Sequence, residues 1–123
     1  MTAALMAALR ACAAGLYHCE AGTELLISHG TFLRRPDFAG FICTAAGITD
    51  GTQMAAIDWD AAITALAGGN LPASSGERSI LQLAASIAAG TPVALRDTIT
   101  SLDNTNLELL LTAIRHAAGH RPG

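Results

Sequence analysis

The clearest structural pattern in this chain begins at Leu71, ends at Gly119 and reads LPASSGERSILQLAASIAAGTPVALRDTITSLDNTNLELLLTAIRHAAG. Its first part fits a capping box, with Ser74 as the N-cap and Glu77 at the third helical position. Apolar residues then recur at helical spacing until Gly90, where the helix is expected to end. The pattern predicts a well-bounded amphipathic helix.

Two further helices are predicted in the rest of this stretch. A short helix is expected over residues 93–101, and a longer one starts at an N-cap supplied by Asp103 or Asn104 and ends at Gly119. The period of 3.6 residues predicts the inner face of the last helix to consist of Leu107, Leu110, Ile114 and Ala117 or Ala118.

The composition favours helices throughout the chain. Hydrophobic residues make up 51% of the 123 residues and charged residues 14%, while aromatic residues make up only 4%. Alanine is abundant and is the best helix former. No alternating apolar segment of useful length indicates a strand. We therefore expect an all-α class, with residues 1–123 forming a single compact helical domain of five or six helices, bundle-like or orthogonal, and no sheet.

The N-terminal segment is predicted to form one helix over residues 2–28. Gly15 and Gly22 within it either permit close approach of another helix or mark a break. Its apolar positions step by four and three, as in a heptad. This row either belongs to a central core helix or forms the interface of a homo-oligomer. The candidate interface residues are Leu5, Leu9, Cys12, Leu16 and Cys19.

The middle of the chain carries weaker signals. Pro36 is suited to the first turn of a helix whose buried face would include Phe38, Phe41 and Ile42. Gly47 and residues 49–52 predict a loop. Asp58 is then expected to cap a helix over residues 59–67.

The cysteines and the lack of a predicted membrane span indicate a cytoplasmic protein. Three cysteines, an odd number without secretory context, indicate free thiols. No stretch is long and apolar enough to predict a transmembrane span, so no membrane partner is expected. The net charge of −3 makes a nucleic-acid partner the less favoured alternative.

One segment resembles a nucleotide-binding signature. Residues 74–78 resemble the signature of ABC-type ATPases, and residues 93–97 and 100–103 resemble the Walker B strand and D-loop that follow it. The resemblance implies ATP binding, which also needs a glycine-rich loop with a lysine. The chain contains no lysine, and Arg96 stands where a hydrophobic residue should precede Asp97. We interpret the segment as capped helices.

No other pattern predicts a catalytic or metal site. His116 and His120 have the spacing of two helical metal ligands, but Gly119 separates them and no Cys-x-x-Cys supports a site. Asp58 and Asp60 are interpreted as helix caps and dipole partners. We therefore expect no enzyme activity, no cofactor and no bound metal.

The sequence favours a small non-enzymatic protein–protein interaction or regulatory domain that acts through a helical surface as a homodimer. One alternative is a nucleic-acid-binding regulator resembling a helix-turn-helix, with Arg34 and Arg35 as phosphate contacts. Another is a helical small-ligand-binding protein with a pocket around Trp59, Phe38 and Phe41.

Overall fold

The computed structural model describes residues 2–46 and 51–120. These residues form six α-helices, two short 3-10 helices and one two-stranded sheet. In chain order the elements are α1 (Ala3–Ala13), α2 (Tyr17–His29), 3-10 helices at Phe32–Arg34 and Pro36–Phe41, β1 (Ile42–Ala46), β2 (Gln53–Ile57), α3 (Trp59–Ala67), α4 (Ser75–Ala89), α5 (Leu95–Ile99) and α6 (Asn104–Ala117). The prediction of a mainly helical protein is confirmed. None of the helices in the described part of the chain is long and apolar enough to cross a membrane.

The prediction that the fold contains no sheet is wrong. β1 and β2 pair antiparallel, with Ile42 opposite Ile57 and Thr44 opposite Ala55. Alanine-rich segments have low intrinsic strand propensity, so these two strands have only a weak local signal. Packing overrides this preference, because β2 lies against α1 and buries Ala55 and Ile57. The helix expected from Pro36 is a 3-10 helix that gives way to β1, and most of the predicted loop, residues 47–50, lies outside the described residues.

The single helix expected over residues 2–28 is also wrong. The chain leaves the helical conformation at Ala14, and Gly15 adopts a φ of +95°, a left-handed value that favours glycine. The Glu20 carboxylate accepts a hydrogen bond of 3.0 Å from the Gly15 backbone N–H, which holds the bend. The break gives the two halves different partners: α1 packs on β2, while α2 packs on α4 and α6.

The predicted helix caps are confirmed. Ser74 and Glu77 form the complete capping box, since Glu77 accepts from the Ser74 N–H at 2.8 Å and the Ser74 hydroxyl accepts from the Glu77 N–H at 3.3 Å. The Asp58 and Asp103 carboxylates cap α3 and α6 by accepting hydrogen bonds from the backbone N–H groups of Ala61 and Asn106. Gly90 ends α4 in the left-handed conformation. The hydrogen bond from the Ser74 backbone lowers the pKa of Glu77.

Helix α2 lies between two hydrophobic clusters. The larger cluster unites α1, the 3-10 helices, β2 and α3 around the fully buried rings of Phe32 and Phe38. The smaller one joins α2, α4 and α6. Trp59 is partly buried and packs against both. The two clusters fix which side of each helix remains exposed to solvent.

Candidate functional site

The predicted interface residues of the N-terminal segment do not share one surface. Leu9 is buried in the core and Leu5 packs partly against it, whereas Leu16 is 55% exposed in the link between α1 and α2. The bend at Gly15 causes this separation, because the row was derived for one continuous helix. Cys12 and Cys19 do come together, since both line the same cavity.

That cavity is an apolar depression of about 220 Å³ between α1, α2, β2 and α4. Trp59 lines it, but Phe38 and Phe41 of the predicted ligand pocket do not, and their rings pack edge to face at the larger hydrophobic cluster. Cys12 and Ala56 also line a neighbouring depression of about 230 Å³ that contains Cys43. The three cysteines are therefore free thiols near connected apolar surface.

The two arginines predicted as phosphate contacts have different environments. Arg35 forms two hydrogen bonds to the Asp37 carboxylate, donates to the Pro72 carbonyl oxygen at 2.6 Å and lies over the ring of Phe32. The hydrogen bond from Arg35 lowers the pKa of Asp37. Arg34 is exposed. Arg35 thus serves to hold the 3-10 segment to the chain before α4, which leaves Arg34 as the accessible cation of the doublet.

A polar cluster joins the ends of α1, α2 and α6. Glu20 and His116 approach to 2.9 Å, and both side chains are largely buried. Beside them Arg10 donates twice to the Glu24 carboxylate, and this hydrogen bond raises the pKa of Arg10. No sequence pattern predicted the contact of Glu20 with His116, because 96 residues separate the two.

The side chains of this cluster bind one another, as expected for groups that stabilise the fold. Its charged groups surround a depression of about 220 Å³, but each carboxylate already accepts hydrogen bonds from within the protein. His116 contacts Glu20 and the ring of Tyr17. Across residues 2–46 and 51–120, no group of three or more His, Cys, Asp or Glu side chains is arranged to hold a metal ion.

Helix α6 carries the most distinctive surface feature. Its buried residues are Leu110 and Ala113, while Leu107, Leu111 and Ile114 are 38%, 39% and 46% exposed. The predicted inner face was wrong for Leu107 and Ile114. The packed side is rotated by about a quarter turn, because His116 and Ala113 turn towards α2. The sequence identified an apolar helix but not which of its apolar sides packs.

We name the exposed residues Leu107, Leu111 and Ile114 the α6 stripe. They recur at intervals of four and three residues, so they lie on one side of the helix over about 10 Å. Helix α5 also has two exposed hydrophobic residues, Leu95 and Ile99, which are 54% and 42% exposed. Most of the large exposed hydrophobic side chains among the described residues therefore belong to the last two helices.

Comparison with known proteins gives no assignment: no protein-family model matches the chain, and neither a curated protein nor a solved structure shows significant similarity to it.

Proposed function

We propose that this protein is a small non-enzymatic protein-interaction domain whose binding surface is the α6 stripe. The observation that carries the proposal is the row of three aliphatic side chains, each more than a third exposed, on a helix whose other side is in the core. Contiguous exposed apolar surface of this kind marks interaction sites in proteins. An amphipathic helix with anchors at these intervals is a common recognition element.

The surroundings of the stripe support this choice. α6 is anchored to α2 by Leu110, Ala113 and the Glu20–His116 contact, so the stripe is presented on a fixed support. A rigid surface loses less conformational entropy on binding than a mobile one. The three free cysteines support a reducing, cytoplasmic setting for the domain.

The proposal is tested by site-specific photo-cross-linking. A benzophenone amino acid replaces Leu111 in the full chain, and the protein is irradiated in its native cells. We expect a covalent adduct heavier than one chain. The matched control carries the same group at Thr105, an exposed residue on the polar side of α6. Equal labelling at both positions, or none at Leu111, would contradict the proposal.

The apolar cavity beside Trp59 supports a second candidate function, the binding of a small apolar ligand. Its lining is mainly aliphatic and includes Cys12 and Cys19, so it suits an uncharged hydrophobic group. The test is a titration of tryptophan fluorescence with the uncharged apolar probe N-phenyl-1-naphthylamine. Ala56→Phe, which fills the cavity, should abolish the change, while Gln53→Phe on the same strand should not. An unchanged emission spectrum in the wild type would reject this candidate.

A further inference from the structure

We infer that the α6 stripe binds the α6 stripe of a second copy of this chain, antiparallel, with Glu108 of each copy paired with Arg115 of the other. This inference rests on the proposed function, and it identifies the partner of that surface. It is carried by the charges that border the stripe.

The stripe has the spacing of a coiled-coil contact row. With Leu107 and Ile114 at heptad position d, Leu111 and Ala118 take position a. Glu108 and Arg115 then both take position e, so they lie along the same edge of the stripe, Glu108 next to Leu107 and Arg115 next to Ile114. Residues at position e form the ion pairs between helices that set partner choice and orientation.

The two charges are available for a partner. Both side chains belong to exposed residues of α6. Within the described residues neither takes part in an ion pair, whereas Arg10, Arg35 and Arg96 each have a carboxylate partner. An acid and a base on one edge of a helix, seven residues apart, cannot reach each other along that helix.

Antiparallel packing satisfies the apolar and the charged residues together. The alignment that packs Leu111 of one copy on Ile114 of the other also packs Leu107 on Ala118. The same alignment sets Glu108 opposite Arg115. The two-fold axis repeats each contact, which gives two ion pairs along the same edge of one apolar row.

Parallel packing has the opposite electrostatic result. In that orientation the e position of one helix faces the preceding g position of the other, which would set Glu108 beside Asp103. Two carboxylates would then repel each other at both edges of the contact. The charge pattern therefore selects the antiparallel arrangement and a partner with the same pattern, namely a second copy.

Charge reversal tests the inference by sedimentation equilibrium of the purified chain. Glu108→Arg and Arg115→Glu should each weaken the dimer about tenfold, because two exposed pairs change from attraction to repulsion. An equimolar mixture of the two variants should form the heterodimer, and the double variant should regain the wild-type dissociation constant. Arg34→Glu, which makes the same charge change on another exposed arginine, should leave it within about twofold.

The outcomes separate this inference from the proposed function. A wild-type chain that stays monomeric, or single variants that dimerise as well as the wild type, would overturn the antiparallel pair. Tighter dimerisation of Glu108→Arg would overturn it too and indicate parallel packing. In any of these cases a cross-link from position 111 to a different protein would leave the proposed function standing.

Discussion

Replacing Gly22 with alanine should destabilise the protein although alanine is the better helix former. Gly22 lies in α2 where it touches α4. A Cβ built there would lie 2.6 Å from the Ala88 Cβ and 2.7 Å from the Ala84 carbonyl oxygen. Carbon atoms attract each other best at about 3.5–4 Å, so the two helices would have to separate by about 1 Å.

Two opposing effects set the size of the change. Alanine gains about 1 kcal/mol over glycine in a helix interior. Overpacking a core costs about 1–3 kcal/mol, and here the upper end applies because backbone atoms of α4 cannot rotate away. Separation also weakens the packing of neighbouring buried residues such as Ala21 and Ala85. We therefore expect the free energy of unfolding to fall by about 1–2 kcal/mol, and the melting temperature by about 4–8 °C.

Urea unfolding followed by circular dichroism measures this difference. Gly40→Ala is the matched control, since a Cβ at Gly40 meets nothing within 4 Å and its φ is not left-handed. We expect the control to be neutral or slightly stabilising. If Gly22→Ala were as stable as the wild type, the close approach of α2 and α4 would be refuted.

Two further stability predictions follow from the helix termini. Ser74→Ala removes the capping box of α4 and should cost about 1 kcal/mol in urea unfolding, while Ser75→Ala, one residue along, should cost nothing measurable. Burial lowers the pKa of His29 below its usual 6.5, so the unfolded chain binds this proton at higher pH than the folded chain. Stability should therefore fall as the pH drops through about 6.5 towards the folded pKa, with no effect of this group well above that pH. His29→Gln should lose less stability than the wild type as the pH falls below about 6.5, and an identical pH dependence of the two proteins would contradict the lowered pKa.

Local sequence patterns were sufficient to predict those features of the structure that depend only on neighbouring residues. The caps at Asp58, Ser74 and Asp103 were predicted because each satisfies backbone groups within three residues of itself. The helix from Trp59 to Ala67 was predicted with its observed bounds for the same reason. The α6 stripe was not predicted from local patterns, because the exposure of a side chain depends on how the whole molecule packs.

The mainly helical character of the protein, and the points where most helices begin and end, follow from local sequence, since propensity, capping and glycine stops act over a few residues. Packing in three dimensions was needed to show that Gly15 breaks the first helix while Gly22 lets a neighbouring helix approach closely. It also decided that alanine-rich segments pair as a hairpin against α1, and that α6 exposes Leu107 and Ile114. The physical reason is that a helix with several apolar sides can pack on any of them. Contacts between residues far apart in the chain, such as Glu20 with His116, hold one side of a helix against the core. They thereby leave another side of that helix exposed and accessible to a partner.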